Sequence, residues 1–341
     1  MEIIPKTLGT RPRLAVEIRT EGVVAARAED ASAVLSAVSQ SALAEGAVLG
    51  GLKHGNLVNH TRVVAAIREA LDTVAVRGSD RGRYVTMIVP DSAARILLLD
   101  FDDLPGKAAE ALPVIRFRLK KLLPFDADTA AVSYQLMSSD RGVFRVLAAA
   151  MPREVLDEYE GAVTAAGYLP GAVLPSTLAS LAGLDEHETS ALVVNASSGC
   201  VTTAIVSDGV LLLHRTLEVS GETVVRADSH SPAQDRGGYD RLQAEAAIET
   251  QVLETAEFAR EIAQAVNVAA AYFEDTLAGA PQKVISAGTL GADGLAAVFE
   301  ENRLEGLRVQ EMVPADALGP GVATTRIPSG WLAGVRGALR N

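Results

Sequence analysis

Two stretches decide how this chain is read: PRLAVEI at 12–18 with RTE at 19–21 and GVVAAR at 22–27, and SALVVNASSGCVTTAIVSDGVLLLHRTL at 190–217. In the first, Leu14, Ala15, Val16 and Ile18 form a short apolar run that reads as a strand. Residues 22–27 read as its antiparallel partner after a polar turn. In the second, 191–194 is a strand, 195–199 a turn of small residues, and 201–206 a returning strand. Asp208-Gly209 then makes a hairpin turn, because this dipeptide tolerates the left-handed backbone a tight turn needs. Residues 210–217 give a third strand. The same strand–turn–strand unit thus stands at the start and again in the middle of the chain.

Helices and a separate small module fill the space between these units. Val63, Val64, Ile67 and Leu71 recur at helical spacing and predict a helix over 60–73, after an irregular glycine-bearing stretch at 47–59. The segment RGSDRGR at 77–83 is a polar break. Strands are predicted at 84–89 and 95–99 around a Pro90-Asp91 turn, and a helix over 106–122, in which Pro113 predicts a kink or a late start. Pro124 ends that helix. Strands at 130–137 and 144–150 follow, joined by Ser139-Asp-Arg-Gly142. Pro152 suits the first turn of a helix over 154–166, and Gly167 suits its C-terminal cap. Past a polar loop at 229–239, Val252, Ala256, Ala259, Ile262, Val266 and Ala269 hold helical spacing within a long helix over 240–277. A strand at 283–286 leads into a glycine loop at 287–294 that opens a helix through Glu301.

Composition removes several classes of function. The 341 residues are 48% hydrophobic and 22% charged, ordinary for a globular chain able to bury a sizeable core, although aromatics are only 4%. A net charge of −12 argues against nucleic-acid binding, which needs a basic face. One local exception, Arg116, Arg118, Lys120 and Lys121, reads as a solvated helix face or as a dock for an acidic surface or membrane leaflet. The opening residues lack the features of a signal peptide, no apolar run is long enough to span a bilayer, and a single cysteine, Cys200, allows no internal disulfide. A cytoplasmic location is expected. The five histidines, His54, His60, His187, His214 and His230, form no metal-binding spacing. Neither a GxSxG elbow nor a Walker A loop occurs. The run GTLGADG at 288–294 has dinucleotide-fingerprint spacing, but no βαβ unit with a following acidic residue is evident around it.

An ordered set of segments carries a family resemblance. AEGAV at 44–48, GNLV at 55–58, IRFRLKKLLPF at 115–125, VSYQ at 132–135, LAAAMPREV at 147–155 and AAGYLP at 165–170 come in sequence. Glu261-Ile262, Tyr272-Phe273 and the end segment 333–340 complete the set. On these the chain resembles the type IV pilus assembly protein PilM family, relatives of the cell-division protein FtsA and of the cytoplasmic part of type II secretion L proteins. The resemblance implies an α/β, actin-like (ribonuclease H-like) two-lobed fold with an inserted strand-helix-strand-strand module. It divides the chain into residues 1–83 of the first lobe, 84–170 as the inserted module and the return to the first lobe, and 171–341 as the second lobe with a C-terminal return to the first.

In such a fold the two hairpin turns approach the phosphates of ATP from opposite sides, and a late glycine loop holds the adenosine. The resemblance therefore places cofactor contacts, if nucleotide binds at all, at Glu17, Arg19, Thr20, Asn195, Ser197, Ser198, Gly199, Gly221, Gly288 and Thr289, with magnesium only if ATP binds. This chain departs from the family at those turns. Asp-Ile-Gly-Ser becomes Glu17-Ile18-Arg19-Thr20, and the lysine that follows becomes Val24. Asp-Ile-Gly-Ala becomes Asn195-Ala196-Ser197-Ser198, and the glycine pair of the late loop becomes Ala287-Gly288. Loss of a carboxylate removes cation attraction, so no catalytic residue is expected. No acidic base can be assigned near the interlobe cleft either. The resemblance implies a structural adaptor, peripheral to the inner membrane through its partners, that binds the short tail of a bitopic PilN-like protein between the module and the first lobe. Rival readings are an ATP-gated actin-like ATPase, a small-molecule kinase on the same fold, and a self-associating filament protein.

Overall fold

The structure, a computed structural model, describes residues 12–30, 33–76, 83–140, 142–184, 190–219, 239–304, 306–320, 322 and 327–340, with backbone alone at 140 and over 239–255. Strands β1 (Leu14–Ile18) and β2 (Gly22–Ala28) form the first predicted hairpin, with Val16 opposite Ala25. A third antiparallel strand, β3 (Leu35–Ala42), joins β2. Helix α1 (His60–Val74) follows, its start capped by the Asn59 side chain. Strand β4 (Tyr84–Val89) then lies parallel to β1.

The chain leaves this sheet after β4. Strand β5 (Arg95–Phe101), helix α2 (Ala108–Leu119), β6 (Ala131–Asp140) and β7 (Val143–Met151) build a separate three-stranded sheet of order β5-β7-β6. Within the span 84–170 only Arg95–Met151 therefore forms the module; β4 belongs to the first lobe. Pro113 lies inside α2, which starts at Ala108, so proline does not delay the start. Helix α3 (Arg153–Ala165) returns to the first lobe, capped behind by Gly167 at φ +95°. Strand β8 (Leu169–Pro175) pairs parallel with β4 and closes the sheet order β3-β2-β1-β4-β8.

After the short helix α4 (Ser176–Leu181) the second lobe repeats the plan. Strands β9 (Ser190–Ser197), β10 (Cys200–Ser207) and β11 (Val210–Glu218) run antiparallel. Helix α5 (Tyr239–Leu277), β12 (Lys283–Ala287), α6 (Gly291–Glu301) and β13 (Arg308–Glu311) complete the order β11-β10-β9-β12-β13. The two five-stranded sheets thus share one pattern: three antiparallel strands, then two parallel to the central one. The loop at 229–238 and Gly221 lie outside the described residues, and the Val252 side chain does also.

Alternation along the strands sorts the core into layers. Leu14, Val16 and Ile18 face α1 and α3, whereas Ala15 faces inward with Val24 and Ala26. On the far side, Leu192 and Val194 meet Ile262 and Val266 of α5, whereas Ala191 and Val193 face inward. Between the inward faces lie α4 and the C-terminal helix α7 (Ala333–Leu339). Gly337 lets these two helices touch: a Cβ there would stand 1.9 Å from the Ala179 carbonyl oxygen. The module is layered too. Leu97, Leu99, Val146 and Ala148 pack on Ala111, Ile115 and Leu119 of α2, while Ile96, Leu98 and Leu147 pack into the central core.

Candidate functional site

The β1–β2 turn of the first lobe and the β9–β10 turn of the second meet across the cleft, and a glutamate joins them. One Glu21 carboxylate oxygen accepts from the Ser198 backbone N–H at 2.6 Å and from the Thr289 hydroxyl at 2.7 Å. The other accepts from the Thr20 hydroxyl at 2.9 Å. Thr20 also lies 3.3 Å from the Ser198 carbonyl oxygen, as donor. Bonds to a charged acceptor are stronger than neutral ones. The predicted residues Thr20, Ser198 and Thr289 are therefore brought together, around a carboxylate that the sequence had not singled out. The signal was position: Glu21 is the last residue before the returning strand.

Below the turns lies a buried polar floor. Glu17 points inward from β1, takes the Ser176 hydroxyl at 2.6 Å and pairs with Arg19 at 2.8 Å. Burial pushes the Glu17 carboxyl above its ordinary range, and the Arg19 charge and the Ser176 bond pull it back only in part. Arg19 is itself buried, so its guanidinium is turned under the turn rather than out from it. Gly334 of α7 closes the floor, since a Cβ there would stand 2.3 Å from Glu17 Oε2.

Asp91 puts a carboxylate at the cleft, where the sequence reading assigned no acidic base. It follows β4 at the Pro90-Asp91 step and lines the cleft while only 4% exposed. Its carboxylate accepts from the Thr177 backbone N–H at 2.9 Å and from the Thr177 hydroxyl, so it caps the start of α4. The Asn195 amide donates at 3.0 Å to both Ser176 Oγ and Thr177 Oγ1, and sits 3.4 Å from Asp91 Oδ2. A second carboxylate in place of Asn195 would face Asp91 across that distance with like charge. The amide side chain supplies the donors this corner needs.

The late glycine loop is packed shut. Gly288 adopts φ +95°, and a Cβ on it would stand 2.4 Å from Asn195 Oδ1. Its N–H bonds to the Gly330 carbonyl at 3.1 Å. The surrounding topology also corrects the sequence reading, because β12, α6 and the parallel β13 do form a βαβ unit, with an acidic residue at the end of its second strand. That residue, Glu311, accepts the Ala292 N–H of α6 at 2.7 Å, so a carboxylate of the chain already sits at this helix N-terminus.

The remaining cleft is about 300 Å³, walled by Arg19, Thr20, Ser197, Ser198, Gly199 and, from the first lobe, Leu49 and Gly50. Cys200 also lines it, and burial pushes its thiol up to about 12, far from a thiolate nucleophile. Asp91 and Glu218 are the carboxylates on its wall. Among the described residues no three His, Cys, Asp or Glu side chains are grouped to hold a metal. The loop behind Leu49 and Gly50 is pinned by Glu158 of α3, which accepts from the N–H groups of Gly55, Asn56 and Leu57 at 2.9, 3.1 and 2.7 Å.

A second concavity, about 160 Å³, lies between the module and the first lobe. Ala131, Val132 and Ser133 of β6, Ala150 of β7, Leu156 of α3 and Val173 of β8 line it. Both β6 and β8 are outer strands of their sheets. Its surface is more strongly apolar than that of the cleft.

No family model matches the chain, and no curated protein matches it. Solved structures do. A chain of the PilM–PilN type IV pilus biogenesis complex is 16% identical, with a TM-score of 0.70 over 97% of this chain and 98% of that one. The cytoplasmic domain of EpsL, an inner membrane component of the type II secretion system of Vibrio cholerae, is 15% identical over 60% of this chain and 70% of that one, with a TM-score of 0.38. The ethanolamine utilization protein EutJ from Carboxydothermus hydrogenoformans is 15% identical over 99% and 94%, with a TM-score of 0.47. With its paired five-stranded sheets and inserted module, the chain has the two-lobed actin-like fold, in the form seen in the PilM–PilN complex.

Proposed function

We propose that this protein is a structural adaptor of a type IV pilus or type II secretion-like assembly platform, holding the short cytoplasmic tail of a bitopic PilN-like membrane protein. Such a role places it in the cytoplasm at the inner membrane. The observation that carries the reading is the apolar groove beside the module, open between two outer strands, in a molecule whose cleft turns already bond to its own Glu21 carboxylate. Its volume of about 160 Å³ suits one or two apolar side chains of an extended tail, with the outer strands offering backbone partners. The partner is carried over from the complex whose fold the chain shares.

The turns do not fit a nucleoside triphosphate. The donors a phosphate would use, the Ser198 N–H and the Thr289 hydroxyl, already hold the Glu21 carboxylate. A phosphate there would have to displace a group of its own charge sign. Arg19, the nearest cation of the first turn, is paired with Glu17 beneath it. No hydrolytic step is derived from such a site, and the protein is read as a pseudo-ATPase. The rival, a nucleotide-gated protein, is favoured by Asp91 and by the small-residue turn Ser197, Ser198 and Gly199 on the cleft wall.

Calorimetric titration separates the two readings. The tail peptide of the PilN-like partner should bind, and Mg-ATP should not. Ala131→Arg, at a half-buried position in the groove, should weaken the peptide by about ten-fold or more without unfolding the protein. Peptide binding that ignores Ala131→Arg, or Mg-ATP binding with no peptide binding, would overturn the adaptor reading.

A further inference from the structure

The basic cluster on α2 separates into two kinds of residue. Arg116 turns back and donates through Nη1 to the carbonyl oxygens of Ala127 and Ala130, and Lys120 pairs with Asp128 at 2.6 Å. These two fasten the end of the helix to the loop that follows. Arg118 and Lys121 point elsewhere. With Val114, Phe117 and Leu122 they occupy the spacing i, i+3, i+4, i+7, i+8, which is one stripe of a helix. The chain keeps turning past Leu119, with the N–H groups of Lys121 and Leu122 bonded to the carbonyls of Arg118 and Leu119.

That stripe faces solvent. Phe117 is 66% exposed, Leu122 49% and Val114 38%. The opposite side of α2, at Ala111, Ile115 and Leu119, is already buried against the module's sheet. A helix that has buried one apolar face should carry a polar one outside. Here the outer face is apolar and cationic instead, with Lys121 Nζ 5.8 Å from the centre of the Phe117 ring. No acidic residue occurs between Ala111 and Phe125, in a chain of net charge −12. The nearest acids are engaged or turned into the loop: Glu110 pairs with Lys107 at 3.4 Å, Asp128 pairs with Lys120, and Asp126 accepts the Asp128 N–H.

We propose that this ridge docks directly on an anionic phospholipid surface, with Phe117, Val114 and Leu122 entering the headgroup boundary and Arg118 and Lys121 meeting lipid phosphates. Three features select a bilayer over an acidic protein. The surface is the convex back of a single helix, which a fluid interface accommodates and a folded partner would have to cup. Its apolar and cationic groups are interleaved, as in helices that lie in the membrane plane. Lys121 lies over the Phe117 ring and the exposed Arg118 is its neighbour in the chain, so these long cationic side chains can meet phosphate while the ring enters the boundary. The contact would add a second attachment at the membrane, beside the tail groove and independent of the partner's identity.

Vesicle co-sedimentation of the full chain tests it. The protein should pellet with vesicles containing anionic phospholipid, and much less with neutral phosphatidylcholine vesicles. Paired Arg118→Glu and Lys121→Glu changes should lower the bound fraction by roughly ten-fold or more, and Phe117→Ser should also lower it. All three positions are exposed, so circular dichroism and tail-peptide affinity should match wild type. Equal binding to neutral vesicles, binding that survives these variants, or failure to pellet with anionic vesicles would overturn the proposal. Capture of an acidic protein by the ridge without lipid binding would overturn it as well.

Discussion

The cleft between the lobes and the groove beside the module are both concave, yet they offer opposite things to a ligand. In the cleft several groups that could serve a ligand as donors serve the chain instead: Ser198 and Thr289 donate to Glu21, Thr177 to Asp91, and Asn195 to Ser176 and Thr177. The groove is lined by Ala131, Val132, Leu156 and Val173, whose side chains make no such demands. A site whose turn donors are largely taken up by the chain itself ties the lobes together and leaves fewer of them for a ligand. An apolar site between two outer strands gains by being covered. Position in the fold alone would have pointed to the cleft.

Breaking the cleft at its floor should have the largest effect. Arg19→Leu leaves the Glu17 carboxylate buried without its cation, which should cost about 3–5 kcal/mol in chemical denaturation. Because the Glu17 carboxyl already lies above its ordinary value, the loss should be smallest at acid pH, where the group is protonated, and should grow as pH rises through the folded value. A variant as stable as wild type at neutral pH would show that the pair does not hold the floor.

Breaking the clasp between the turns is a smaller change with a more local reading. Glu21→Ala removes the acceptor for Ser198, Thr289 and Thr20, and should cost about 1–3 kcal/mol. Amide exchange at Ser198 should speed up while the amides of β6 and β8 keep their rates. Uniform acceleration would mean that cleft and groove open together, and the contrast between them would dissolve.

The smallest effect should come from the residue that touches both regions. Glu158 sits on α3, whose Leu156 lines the groove, and pins the loop whose Leu49 and Gly50 wall the cleft. Burial pushes its carboxyl upward, but three backbone N–H groups and His54 outweigh that and hold it below its ordinary value. Its stabilisation is thus complete above the unfolded carboxyl range and is lost as pH falls through the folded value. Glu158→Gln should cost about 1 kcal/mol at neutral pH. Comparing pH 7 with pH 4, the variant should lose less stability than wild type; an equal loss would remove Glu158 from the account.

Much of the fold was legible because central strands are strongly patterned. The β1–β2 hairpin, the β9–β10–β11 meander, β4, β12 and the module's strands are all apolar on at least one face, and all read clearly. The strands that escaped, β3, β8 and β13, are each the outermost of a five-stranded sheet. Outer strands need less apolar surface and tolerate Pro170, Gly171 and Pro175 in β8 or the polar half-buried face of β3. The candidate site was legible as two turns and a glycine loop. Glu21, Asp91, Ser176 and Thr177 were not, since each is tied into the site by a bond to a partner that lies 86 to 268 residues away in the chain.

Sequence by itself determined the repeated strand–turn–strand units and the module between them. These are local properties, written in hydrophobic period and turn chemistry. Tertiary structure decided what the turns do. Only where the two lobes meet does Glu21 reach Ser198 and Thr289, and only in the packed chain does Asp91 cap α4 and is the Arg19–Glu17 pair buried. Local pattern fixes which face of a strand is buried. Which polar groups then satisfy one another depends on distances that only the packed chain sets.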